Sequence, residues 1–162
     1  TTVHLSGELF NSMAGLKLIH IPYKGATEAL TGLLGGQTDL MFASLSSAIP
    51  QIKAGRIKAF AVTGAKRSPS MPDLPTMSEA ALPGFNAVAW FAMVGPAGVQ
   101  KQSVATLHKA TLAALNVQDV KDRLFNSGVE VRTSSPEELA AFIESEIQKW
   151  AKVVKAAGAR VD

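Results

Sequence analysis

Residues 16–43 read LKLIHIPYKGATEALTGLLGGQTDLMFA, and the order of apolar, turn and small residues here decides the fold class. Leu16 to Tyr23 is rich in β-branched and aromatic residues and stops at Pro22-Tyr23-Lys24-Gly25, the pattern of a short buried strand closing in a turn. Ala26, Ala29, Leu30, Leu33 and Leu34 then fall at i, i+3, i+4, i+7 and i+8, one face of a helix, and Gly35-Gly36 supplies a left-handed stop. Asp39 to Ala43 reads as a second strand. Strand, helix and strand in this order imply a right-handed crossover and parallel pairing, with both faces of the sheet covered.

Working outward, Leu5, Leu9 and Met13 recur every four positions with Phe10 beside them, which predicts a helix from Val3 to Met13 ended by Gly15. Downstream, Ser46 to Ala54 reads as a short helix stopped by Gly55, and Ile57 to Thr63 as a strand. The expected fold class is therefore α/β with a parallel sheet. From Ala65 to Gly98 the pattern dissolves around Pro69, Pro72, Pro75, Pro83 and Pro96, with Phe85 to Val94 as its strand-like run. Long irregular segments of this kind are functional or connect domains. Beyond Gly98 the chain turns helical. Val104, Leu107, Thr111, Leu112 and Leu115 make one face, Val120 and Leu124 a shorter one ending at Gly128, and Glu130 to Thr133 alternates as a strand does. The last helix carries a capping box, Ser135 with Glu138, and Pro136 at the tolerated first position. Its stripe of Leu139, Phe142, Ile143, Ile147, Trp150 and Val154 runs to Gly158.

Composition narrows the function. The 162 residues are 47% hydrophobic and 18% charged, which excludes the disordered, collagenous and coiled-coil classes. Without cysteine there is no disulfide framework, thiolate metal site or cysteine nucleophile. The net charge of +3 is scattered with no basic run longer than Lys66-Arg67, so no nucleic-acid partner is expected. Apolar runs such as Ala87 to Val94 fall short of the roughly 20 residues that cross a bilayer. Thr1-Thr2-Val3-His4 holds neither an initiator methionine nor the start of a signal peptide, which reads as a cut or processed chain.

The side chains that do chemistry are sparse. His4, His20 and His108 lie on an early helix, a strand and a late helix, without a ligand-spaced partner, so neither a metal nor any other cofactor is expected. No Gly-x-Ser-x-Gly frames a nucleophile. Gly35-Gly36 ends a helix where a phosphate loop must begin one. Glu137-Glu138, Glu144 and Glu146 read as solvated charges on the last helix. No catalytic residue is assigned. What remains is a set of strand ends that open into small or polar residues just before helices: Thr1 and Thr2, then Tyr23, Lys24 and Gly25, then Ala43 and Ser44. In an open parallel sheet, ligands bind beyond the carboxyl ends of strands, where helix amides suit a carboxylate or phosphate. The alternative is that such loops only connect and cap.

The words themselves carry a resemblance. His4-Leu5-Ser6-Gly7-Glu8-Leu9-Phe10, His20-Ile21-Pro22-Tyr23-Lys24-Gly25, Leu33-Leu34-Gly35-Gly36-Gln37 and Asp39-Leu40-Met41-Phe42 occur in that order. Ile52-Lys53-Ala54-Gly55, Leu74-Pro75-Thr76, Pro83-Gly84-Phe85, Trp90 and Trp150-Ala151-Lys152-Val153-Val154-Lys155 follow. Together they resemble the Bug family, the TctC-type periplasmic solute-binding receptors of tripartite tricarboxylate transporters. The resemblance implies a type II periplasmic-binding fold with a small organic acid held between two lobes, and membrane permease subunits as partners. It implies no enzymatic activity. It assigns residues 1–86 to part of the second lobe, 87–98 to a crossover, and 99–162 to C-terminal helices of the first lobe, with an N-terminal part missing. It further implies that Thr1, Thr2, Tyr23, Lys24, Gly25, Ala43 and Ser44 take the ligand. A chain lacking covering segments exposes sheet edges, so self-association is expected. Two rivals stand beside this reading. The same fold serves as the effector domain of regulators and membrane sensors, and a hydrolase using Ser44 or Ser46 with His20 has no motif behind it.

Overall fold

Helices form where the 3.6-residue pattern places them, and glycine ends most of them. The computed structural model describes residues 2–158. Its helices are α1 Thr2–Ala14, α2 Ala26–Leu34, α3 Leu45–Lys53, α4 Met77–Ala80, α5 Lys101–Asn116, α6 Gln118–Asn126 and α7 Pro136–Ala157. Gly36 after α2 has φ 70° and Gly55 after α3 has φ 68°, a left-handed conformation that glycine adopts without a Cβ penalty. The amide of Gln37 reaches the carbonyl of Gly32 at 2.9 Å, closing the turn behind α2. At α7, the amide of Ser135 donates to Glu138 Oε2 at 2.7 Å and that of Glu138 donates to Ser135 Oγ at 3.1 Å, so the expected capping box is present.

The expected parallel sheet is not formed among the described residues. Leu16 to Tyr23, Asp39 to Ala43, Ile57 to Thr63, Phe85 to Val94 and Glu130 to Thr133 belong to no ladder; the assigned pairing is one isolated parallel bridge, Val62 with Thr76. A strand is defined by the row of N–H and C=O groups beside it, and an extended segment becomes one only when a neighbour lies alongside. Burial shows the same shortfall. Ile19 is 85% exposed, Phe60 71% and Phe91 88%, so apolar side chains on these segments face solvent instead of a covering layer.

The chain divides into two units. The first runs from α1 to Ala89 and takes in the chain from Trp150 onward. Its core gathers around the Val62 bridge. The amide of Val62 donates to Pro75 O at 2.8 Å, that of Met77 to Val62 O at 2.8 Å, and that of Ala87 to Thr63 O at 2.9 Å. Phe85, Ala87 and Thr76 are buried there, at 1%, 2% and 2% exposure. A helix that the sequence pattern missed, α4, begins at Thr76 with a capping box to Glu79. In the same unit α1 lies against Phe42, whose ring stands 5.8 Å from that of Phe10, and α2 packs on α3.

The second unit is Trp90–Lys149. There α5 packs on α6, and the edge of Trp90 meets Phe142 with ring centroids 5.4 Å apart. Trp90 Nε1 donates to Glu146 Oε2 at 3.3 Å, and Glu146 pairs with Lys149. No residue of α5 or α6 is buried, so this unit is held by half-exposed contacts.

Candidate functional site

Thr1 lies outside the described residues; Thr2 opens α1, where its carbonyl accepts from Ser6 Oγ at 2.8 Å. Tyr23, Lys24 and Gly25 form the turn that delivers the chain to α2. Gly25 is the N-cap, in extended backbone at φ −170° and ψ 169°, and has no side chain to offer the first amides of the helix. Ala43 and Ser44 do the same for α3. Ser44 is its N-cap, yet the hydroxyl does not cap the helix; it lies 2.8 Å from Ser47 Oγ and 3.4 Å from Ser46 Oγ. Two adjacent helices of one unit thus begin without a side-chain cap. Helix amides so placed carry partial positive charge and favour an anion.

The candidates differ in how free they are to meet a ligand. Lys24, Gly25 and Ser44 are exposed, whereas Tyr23 and Ala43 are half-buried. The Tyr23 ring lies over α2: a methyl built on Gly32 would stand 2.3 Å from its hydroxyl oxygen. That hydroxyl donates to Gln37 Oε1 at 3.4 Å, at the far end of α2. None of the candidates lines either of two surface concavities. One, of about 360 Å³, lies beside α1 at Glu8, Asn11 and Lys17; the other, of about 550 Å³, follows α5 from Gln102 to Ala113. The described candidates lie at helix starts and in the turns before them.

Three features of this surface were not read from the sequence. Glu28 reaches back so that its Oε2 accepts from the amide of Lys24 at 3.3 Å. The signal was present, since Glu28 stands three residues after Gly25, the capping-box spacing with glycine replacing the hydroxyl residue. Ser47 turns its hydroxyl to the Ser44 carbonyl at 2.9 Å. His4 and His20 stack with centroids 4.0 Å apart and planes within 9°. That stack ties α1 to the segment leading into Tyr23, as Phe10 on Phe42 ties α1 to the segment leading into Ser44. Among the described residues no cluster of three histidines, cysteines or carboxylates forms a metal site, and no helix is long and apolar enough to cross a membrane.

The model of the tripartite tricarboxylate transporter family receptor, TctC, matches residues 1–159. Among solved structures, the R. palustris protein Rpa4515 with adipate is 37% identical and superposes with a TM-score of 0.81, covering 98% of this chain. The periplasmic binding protein BugD is 38% identical with a TM-score of 0.74 over 96% of this chain. MatC from Rhodopseudomonas palustris, with bound malate, is 34% identical with a TM-score of 0.73 over 94%. This chain spans 53% of the length of each, about half a binding protein. The fold is that of these receptors, although its extended segments find no ladder among the described residues, and the chain belongs to the TctC family.

Proposed function

We propose that this chain is part of a periplasmic receptor that captures a small dicarboxylate or tricarboxylate and presents it to membrane permease subunits, with no catalytic step. The observation that carries the reading is the pair of packed helices, α2 and α3, whose N-termini lack side-chain caps. Backbone amides at Gly25 and Ser44, hydroxyls of Thr2 and Ser44 and the ammonium of Lys24 can each donate to a carboxylate, with the Glu28 carboxylate at the Lys24 amide as the opposing charge. Tyr23 and Ala43 complete the surface. Family membership and the likeness to receptors solved with adipate and malate support this ligand class. In a two-lobed receptor, residues 1–86 would supply the second lobe's share of the grip, 87–98 the crossover, and 99–162 helices of the first lobe.

The test is Gly25→Asp. A Cβ there meets no atom within 4 Å and the backbone is extended, so there is room to start the side chain, which can cap α2. It also places a carboxylate where the ligand's would sit. Calorimetric titration with adipate and malate is expected to show binding by the parent chain and at least about tenfold weaker binding by the variant, roughly 1.4 kcal/mol. The thermal midpoint should be unchanged or higher. Equal affinities would place the anion elsewhere, and a folded parent chain that binds neither acid would overturn the receptor reading for this chain.

A further inference from the structure

We propose that His4 and His20 form a pH-sensitive clasp, which joins the start of α1 to the segment entering the Tyr23–Gly25 turn and parts when its rings become charged. The two imidazoles come from different elements and lie face to face, 4.0 Å between centroids and 9° between planes. Two residues before His4 stands Thr2, and three after His20 stands Tyr23. The stack therefore spans two of the three places that the functional reading assigns to ligand contact, and its effect on binding rests on that reading. Leu16 and Leu18 tie the segment to α1 further, their amides donating to Asn11 O and Asn11 Oδ1, each at 3.0 Å.

Neutral rings stack favourably, whereas two imidazolium rings at this separation repel. Glu8 faces the pair from α1, its Oε1 lying 3.4 Å from His4 Nε2, so charge on His4 has a partner. A second charge, on His20, has the first beneath it. His20, although exposed, is held below its ordinary value of 6.5, first by partial loss of solvent and next by His4, with Glu8 acting against them. The sign follows. A parted His20 returns toward its ordinary value and takes up a proton that the stacked one refuses, so the open form binds more protons and acid favours it. The clasp is complete above about pH 6.5 and weakens as pH falls through the lowered midpoint.

Amide hydrogen exchange of the full chain, corrected for intrinsic rates, tests this at about pH 7.5 and about pH 5.5, either side of the histidine midpoint. Opening of residues 16–24 in the parent is expected to rise by up to about tenfold, the limit for one proton taken up one pH unit below the open-state midpoint. His20→Phe keeps a ring to stack and has no proton to gain at that position, so most of the rise should be lost. An equal rise in parent and variant, or none in the parent, would overturn the clasp. If the variant does not fold, the imidazole resonances of His20 decide: a midpoint that rises when the facing ring is removed in His4→Ala supports the clasp, and one that does not move refutes it. Adipate titrated at both pH values separates the two readings. Acid-induced opening with weaker binding supports both, whereas opening without any binding leaves the clasp standing and removes the ligand reading.

Discussion

Gly32 and Tyr23 show how one side chain's absence holds another in place. A methyl at Gly32 would lie 2.7 Å from the Tyr23 ring carbon Cζ as well as 2.3 Å from its hydroxyl. The ring is half-buried and sits at the end of a rotatable side chain, so it gives way before the helix does. Gly32→Ala should therefore swing Tyr23 off α2 while leaving stability within about 1 kcal/mol, since alanine improves helix propensity by roughly 0.5–1 kcal/mol. Tyr23 is the chain's single tyrosine, so its ring resonances report the change directly. Unshifted resonances would show that the ring does not lie where the structure has it. Thr76 is a second such residue, 2% exposed, its hydroxyl accepting from the amide of Glu79 at 3.0 Å while that carboxylate accepts from the Thr76 amide at 2.9 Å. Thr76→Ala is expected to lower stability by about 1 kcal/mol in denaturant titration. The Thr76 amide, and then Arg67 at 2.9 Å, hold the Glu79 carboxyl below its ordinary range. That stabilisation is present above an unfolded-state value of 4.5 and is lost as pH falls through the folded one. In Glu79→Gln the fall in thermal midpoint below about pH 4.5 should be shallower than in the parent.

At the scale of elements, helices were legible because their signals are local. The apolar spacing of α2 and the Gly36 stop lie within the segment they shape, and so does the Ser135–Glu138 box of α7. Ser135→Ala should lower the thermal midpoint by an amount equivalent to about 1 kcal/mol, and an unchanged midpoint would mean that α7 is held by its packing alone. The brief α4 escaped notice, although Thr76-Met77-Ser78-Glu79 carries the capping-box spacing, because four residues show no apolar period. The candidate site was legible to the same extent. Gly25 and Ser44 stand at helix starts as their positions require, but Glu28 against the Lys24 amide and the turn of Tyr23 toward Gln37 depend on side-chain choices that spacing does not specify.

For the whole molecule the decisive feature is apolar surface on extended segments. Ile19, Ile21, Phe60, Phe91, Met93 and Val94 are exposed, and those segments carry no ladder among the described residues. Exposed β-branched and aromatic runs with unpaired backbone are templates for association. The chain is expected to populate dimers or larger species in light scattering, with the share rising with concentration. Ile19→Lys together with Phe91→Lys should shift it toward monomer, and a clean monomer at all concentrations in the parent would show that these runs are covered within one copy.

Local pattern by itself determined the longer helices, their glycine stops and the helix starts at which the candidate residues stand, because a helix bonds to residues three or four positions away. It also carried the family words that run from His4 to Lys155. Whether 16–23, 57–63 and 85–94 pair as strands was decided only in the tertiary structure, where one bridge at Val62 and Thr76 is what the described chain supplies. So was the meeting of His4 with His20, sixteen residues apart and on different elements. A strand needs a neighbour and a ring stack needs a partner, and each belongs to a distant part of the chain.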